Sequence, residues 1–226
     1  MMKRVCSVAA GLLLALSLSV TALAGILWVL GTSETIMLPM MRHFAPSEAT
    51  ELPDAEYPAV VDMITGYLAG ETDRFQHYYM IFDVMYLTFS EHEQQHMADC
   101  QALFRLDRQV LLGAGALSAA LLIIAAWRKD RRAWRWTAIG LATVEGIILV
   151  VAALAMVDFD RLFILFHRLS FSNDLWLLNP KTDMLIRLMP TDFFVTYAAI
   201  LGISWLATVT LMQLGALILY KRGTKA

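Results

Sequence analysis

Four stretches of this chain are long and apolar enough to cross the hydrocarbon core of a bilayer: about residues 5–30, 110–127, 137–157 and 194–220. A spanning segment must satisfy its own backbone polar groups, so each is expected to be an α-helix. The fold class is therefore all-α integral membrane, with four transmembrane helices and a small extracytoplasmic cap formed by two outer loops. Of 226 residues, 58% are hydrophobic, and the chain is expected to form a single membrane domain over residues 1–226. The first run competes with a secretory signal, because Ala22-Leu23-Ala24 before Gly25 resembles a cleavage site. The apolar run continues through Ile26 to Leu30, which favours a retained anchor.

Orientation follows from where the charges fall rather than from their sum. Two basic residues precede the first run, five lie between Arg128 and Arg135, and three between Lys221 and Lys225. Thr32 to Arg108 holds thirteen acids against four bases. The positive-inside rule then places both termini and loop 128–135 in the cytoplasm, with 32–108 and 158–193 outside the cell membrane. Trp127, Trp134 and Trp136 flank the inner loop as an aromatic belt does. In this arrangement Cys6 is at the inner end and Cys100 outside, so the two cannot pair within the chain. Cys100 is expected to be a free, partly buried thiol, or paired between chains.

The larger outer segment carries Pro39, Pro46, Pro53 and Pro58, so its first half is expected to be extended or turn-rich. Val60, Val61, Ile64 and Leu68 recur at helical spacing ahead of Gly70, which predicts a short helix ended there. Residues 78–89 are aromatic and apolar, suited either to the membrane surface or to packing beneath the cap. In the second outer segment Phe159, Phe163 and Phe166 line one helical side with His167 beside them, and Asn173-Asp174 and Asn179-Pro180 signal turns. Such a segment reads either as one dipping among headgroups or as an aromatic belt with incidental polar residues. Glu145 falls near mid-bilayer, at a depth similar to Gln213. A carboxyl hydrogen-bonded to Gln213 or Thr210, locking the bundle, is favoured there over a catalytic one.

Chemistry concentrates in Ser90 to Cys100, Ser-Glu-His-Glu-Gln-Gln-His-Met-Ala-Asp-Cys. Ser90 with Glu93 three residues on is a capping box, so a helix starts here. On that helix Glu93, His96 and Asp99 or Cys100 share a face. All five histidines fall in the outer segments, and His96 and His167 sit in the most polar stretches of each. Facing one another, they would form an acid–base pair. His92-Glu93-x-x-His96 also matches H-E-x-x-H, with His92 and His96 as zinc ligands, Glu93 as base and His167 as a possible third ligand of a membrane metalloprotease. Cys100, one turn after His96, admits a Cys–His nucleophile, although no oxyanion-hole motif accompanies it. A non-enzymatic membrane interaction protein is a further alternative.

The run Ser90-x-x-Glu93-x-x-His96-Met97-x-Asp99, followed by Phe166-His167, Phe171 and Asn173-Asp174-x-Trp176-Leu177-Leu178-x-Pro180-x-Thr182-Asp183, resembles one bacterial family. It is the four-span integral membrane family that contains lipoprotein intramolecular transacylase (Lit). The resemblance covers essentially the whole chain; Cys100, where an aliphatic residue is expected, and the long acidic segment depart from it. It implies an acyltransferase at the outer face of the cytoplasmic membrane, moving the sn-2 acyl chain of an S-diacylglyceryl cysteine onto its α-amine. His96 and His167 would be the catalytic pair, supported by Glu93, Asp99, Asn173 and Asp174, with Phe166, Phe171 and Trp176 against the acyl chains. No cofactor or metal is implied. The expected partners are a diacylglyceryl lipoprotein and membrane lipid, with no nucleic acid.

Overall fold

A computed structural model describes residues 2–222; Met1 and residues 223–226, and with them Lys225 of the last basic group, lie outside the described residues. The elements in order are α1 (Met2–Thr32), α2 (Glu34–Phe44), α3 (Ser47–Thr50), a 3-10 turn (Asp54–Glu56), α4 (Tyr57–Ala69), β1 (Tyr78–Ile81), β2 (Val84–Leu87), α5 (Glu91–Arg128), α6 (Arg131–Val157), α7 (Phe159–Ser170), α8 (Met184–Leu188) and α9 (Thr191–Arg222). Among the described residues α1, α5, α6 and α9 are the helices long and apolar enough to cross a membrane. They contain the four expected runs. The chain divides into two compact units: one of residues up to Leu27, Asp107–Val157 and Ile200 onward, the other of Trp28–Leu106 and Asp158–Ala199.

In the first unit, small residues bring helix backbones together. A Cβ at Gly11 of α1 would collide with the Ala133 carbonyl of α6, so only glycine permits that approach. Hydrogen bonds then fix the register: Ser118 Oγ donates to Ser17 Oγ (3.0 Å) and Trp205 Nε1 to the Ser19 carbonyl (2.9 Å), while the Thr137 hydroxyl is shared between the Ala133 carbonyl of its own helix (2.9 Å) and the Gly11 carbonyl (3.2 Å). Thr210 Oγ1 donates to Glu145 Oε1 at 2.8 Å. Of the two partners expected for Glu145, the hydroxyl takes the bond, while Gln213 Nε2 reaches the Ala138 carbonyl at 3.5 Å.

The second unit has an apolar core around α4, where Tyr57, Val60, Val61 and Ile64 are fully buried together with Met41, Leu52, Phe89 and Leu188. The predicted α4 ends at Gly70, whose φ of 77° allows its N–H to reach the Tyr67 carbonyl. The extended reading of the proline-bearing segment is corrected: it is largely helical. Pro46 is the N-cap of α3, Pro53 precedes the 3-10 turn, and Pro58 is in the first turn of α4, where a missing N–H costs nothing. Only Pro39 sits inside a helix.

Residues 78–87 form a two-stranded antiparallel hairpin, with Tyr78 opposite Leu87 and Ile81 opposite Val84. Its two turn residues, Phe82 and Asp83, have φ of 48° and 61°, the positive values that a tight two-residue hairpin demands. Phe82 is 96% exposed. At the base, His77 Nδ1 and Thr88 Oγ1 share a 2.8 Å hydrogen bond, and His77 Nε2 lies 3.2 Å from Glu56.

Candidate active site

The polar start of α5 is built as its sequence predicts, with one addition. Glu93 Oε2 accepts from the Ser90 N–H (2.7 Å) and Ser90 Oγ (2.8 Å), and Ser90 Oγ accepts from the Glu93 N–H at 3.3 Å. The addition is Leu185, whose backbone N–H donates to Glu93 Oε1 at 2.6 Å. One buried carboxylate therefore caps α5 and ties it to the start of α8, 92 residues away. Glu93 acts on the site by fixing where α5 begins; its oxygens are occupied by these donors rather than by an imidazole.

From that anchor His96 emerges one turn on, 7% exposed, and α7 delivers His167, 8% exposed. The two ring centroids are 6.3 Å apart, tilted by 31°. Helix α7 starts at the N-cap Asp158, whose side chain accepts from the Arg161 N–H. It places Phe163 and His167 one turn apart. The His167 Nδ1–H donates to the Phe163 carbonyl at 2.7 Å. That bond fixes the tautomer: the proton sits on Nδ1, and Nε2 keeps its lone pair for chemistry.

Around His167 the aromatic residues form a shell. Ring centroids of Phe163, Trp176, Phe166 and Phe171 lie 4.2, 5.0, 5.3 and 5.7 Å from it, and Phe171 also sits edge-on to His96 at 5.2 Å. Burial among these groups disfavours a charged imidazole. It pushes His96 down to about 4, assisted by neighbouring His167 and opposed by Asp99; burial lowers His167 as well, opposed by the Phe163 carbonyl. Both residues precede or lie apart from the apolar run of α5 that begins near residue 110. His96 Nδ1 is buried without a hydrogen-bond partner among the described residues, and its Nε2 lies 3.6 Å from Cys100 Sγ.

The remaining predicted residues divide. Asp99 Oδ2 accepts from Asn173 Nδ2 at 2.9 Å, joining the start of α5 to the turn after α7, and Asn173 Oδ1 accepts from the Leu175 N–H in an Asx turn. Asp174 is exposed and contributes its backbone carbonyl to the same turn, accepting from the Leu177 N–H. Cys100 is free and half-buried; burial, then Asp99, raises its thiol to about 12, which keeps it protonated and a poor nucleophile. Among the described residues no three His, Cys, Asp or Glu side chains are grouped to hold a metal ion, so His92 and His96 lack a third ligand. The Glu93 that H-E-x-x-H needs as base is committed to three donors instead.

Two positioning contacts escape a reading of the sequence. The Leu185 N–H has no side-chain signature. The Phe163 carbonyl could have been found, because a histidine in the last turn of a helix is well placed to donate to the carbonyl one turn back.

The structure is similar to the in meso structure of the membrane integral lipoprotein intramolecular transacylase Lit from Bacillus cereus. The TM-score is 0.80 at 16% identity, over 98% of this chain and 99% of that one. Histidine-to-arginine and histidine-to-alanine variants of the same protein match with TM-scores of 0.76 and 0.77, also at 16% identity, each covering at least 96% of both chains. At that identity the likeness speaks for the fold. No curated protein matches the sequence. The family described as lipoprotein intramolecular transacylase Lit matches residues 12–194, which include both histidine segments. The chain thus belongs to the lipoprotein intramolecular transacylase (Lit) family and is a membrane acyltransferase.

Proposed function

We propose that this enzyme moves the sn-2 acyl chain of an S-diacylglyceryl cysteine to that cysteine's own α-amine, using His96 and His167 as the acid–base pair. The amine nitrogen bonds to the ester carbonyl carbon, and the bond from that carbon to the sn-2 oxygen breaks. The amine's proton ends on that oxygen, so the products are an N-acyl cysteine and a lyso-glyceryl thioether. The nucleophile belongs to the substrate, which makes the transfer intramolecular and removes any need for an enzyme serine or cysteine.

The observation that carries this reading is the 6.3 Å approach of two buried imidazoles contributed by α5 and α7. An α-amine has a pKa near ~8 and must shed a proton before it attacks an ester. His167, with Nε2 unprotonated, can accept it. The proton passes across the pair to His96, whose protonated form burial disfavours and which therefore gives it up at once to the departing sn-2 oxygen, leaving both rings neutral. Asp99, held by Asn173, is placed to attract the substrate's ammonium, and Phe166, Phe171 and Trp176 supply apolar surface for the acyl chains. The partners are then a diacylglyceryl lipoprotein and the lipid around it. By the distribution of basic residues the enzyme is one multi-pass domain of the cytoplasmic membrane, N-in and C-in, with residues 32–108 and 158–193 forming the extracytoplasmic cap that holds the site.

Mass spectrometry of lipoprotein N-termini from cells making the enzyme tests this. The wild type and His92→Ala should yield N-acyl, lyso-form termini. His96→Ala and His167→Ala should each lower the yield by ~10²-fold or more. Diacylglyceryl termini left unchanged by the wild type would remove the proposed reaction, and lyso-form termini from both histidine variants would remove the proposed pair.

A further inference from the structure

The first unit holds a second constellation, built on the turn between α5 and α6. A cavity of about 1000 Å³ opens there, lined by Arg128, Lys129, Arg131, Arg132 and Arg135. The loop's single acid is already occupied: Asp130 Oδ1 accepts the N–H groups of Arg132 and Ala133, and Oδ2 accepts from Ser7 Oγ at 2.6 Å. Among the described residues none of the five basic side chains has an ion-pair partner. Arg131 is the most constrained of them. Its guanidinium lies 5.6 Å over the Tyr220 ring, and its Nε is buried with no hydrogen-bond partner. The Nε is closed to solvent, so an anion from the cavity would meet Arg131 together with the other four basic residues that line it, and the group that suits such a cluster is an anionic oxygen.

A second groove of about 460 Å³ adjoins the first through Lys129 and Arg131. Its other walls are Leu122, Ala126, Trp134 and Leu219. Charge and oil are thus placed side by side on one pair of basic residues. The positive-inside rule accounts for basic residues in this loop, but not for their lining one cavity with an apolar groove beside it.

We infer that this turn binds the headgroup phosphate of an anionic glycerophospholipid from the leaflet at that end of the bundle, with an acyl chain in the adjoining groove. A free phosphate shares the headgroup chemistry but has no use for the groove. The site is independent of the histidine pair, and nothing in it depends on the acyl transfer.

The test uses the full chain purified in detergent, with phosphatidylglycerol, phosphatidylcholine of the same acyl chains, or inorganic phosphate added. Phosphatidylglycerol should raise the melting temperature by at least ~3 °C, and the other two should not. Arg131→Gln with Arg135→Gln should abolish that shift, whereas Arg161→Gln with Lys181→Gln, which removes the same charge elsewhere, should retain it. Native mass spectrometry of the wild type supplies a measurement that needs no variant: phosphatidylglycerol should be retained in preference to phosphatidylcholine. Equal retention of the two lipids, an equal shift from inorganic phosphate, or a shift that survives in the Arg131/Arg135 double variant would overturn the proposal.

Discussion

The two units of this enzyme are held together by different means. In the second, Tyr57, Val60, Val61, Ile64 and Leu188 have lost all contact with solvent, as in the core of a water-soluble domain. In the first, only about a tenth of the most apolar window of α5, α6 and α9 is buried within the protein. Water drives apolar side chains together in one case, whereas lipid is as apolar as leucine and gives helices no such reason to associate. The first unit must therefore rely on close backbone approach and a few hydrogen bonds. In the second, hydrogen bonds select one arrangement of residues that would collapse in any case.

Glu93→Ala should break the second unit most severely. It strands the Ser90 N–H, the Ser90 hydroxyl and the Leu185 N–H, and should cost about 3 kcal/mol, read as a lowered melting temperature of the purified enzyme. Acyl transfer should fall with it, because the start of α5 sets the position of His96. A loss below about 1 kcal/mol would mean that apolar packing alone holds α5 against α8.

Gly11→Ala is the corresponding break in the first unit. Its methyl would strike the Ala133 carbonyl, which cannot rotate away, so α1 and α6 must separate. A loss of about 2 kcal/mol is expected. Gly113→Ala, where a Cβ meets nothing within 4 Å, is the control and should melt as the wild type does. Equal melting of all three proteins would show that close approach does not position these helices.

The same contrast governs what could be read from the chain. Spans announce themselves through unbroken apolar runs, because lipid screens every face of the helix. Ser90 with Glu93, Gly70 and Asn173 were legible because each signal is local, a side chain bonding backbone a few residues away or, at Gly70, a backbone free to take a positive φ. Gln213 and Thr210 could be offered as partners for Glu145 because depth along a spanning helix can be counted at ~1.5 Å per residue, but nothing in the sequence chose Thr210, which takes the bond. Leu185 was not legible as the partner of Glu93, since any residue offers an N–H. The prolines misled because the same fixed φ that ends one helix starts another. The hairpin at 78–87 carries no Asn-Gly or Gly at its apex, only Phe82-Asp83, so the usual turn chemistry was missing. His96 and His167 stand out in the sequence through the density of polar residues around them and through family resemblance, and no local rule brings residues 71 apart together.

Acid should weaken the second unit by a smaller amount. His96 is buried and resists protonation down to about 4, whereas an unfolded histidine takes up a proton near 6.5. The unfolded state therefore binds more protons as pH falls below about 6.5, and the stability held above that value declines toward pH 4. At pH 5.5 the contribution from His96 is about 1 kcal/mol. Melting temperatures at pH 7.5 and 5.5 should diverge less for His96→Phe than for the wild type. An identical drop in both would mean that the folded enzyme accommodates a charged His96.

The smallest expected effect is also the sharpest test of the division. Glu93 stands in a polar helix start and Glu145 in an apolar run, and each is held structurally, the first by three donors and the second by one hydroxyl. A hydrogen bond between helices in a membrane contributes on average about 0.6 kcal/mol, because the separated helices find other partners in the same lipid. Glu145→Leu removes that bond together with a costly intramembrane carboxyl, so melting should shift by no more than about 1 kcal/mol, and lipoprotein acyl transfer should be unchanged. Loss of transfer in a variant that melts normally would place chemistry among the spans, and the first unit could no longer be treated as a scaffold.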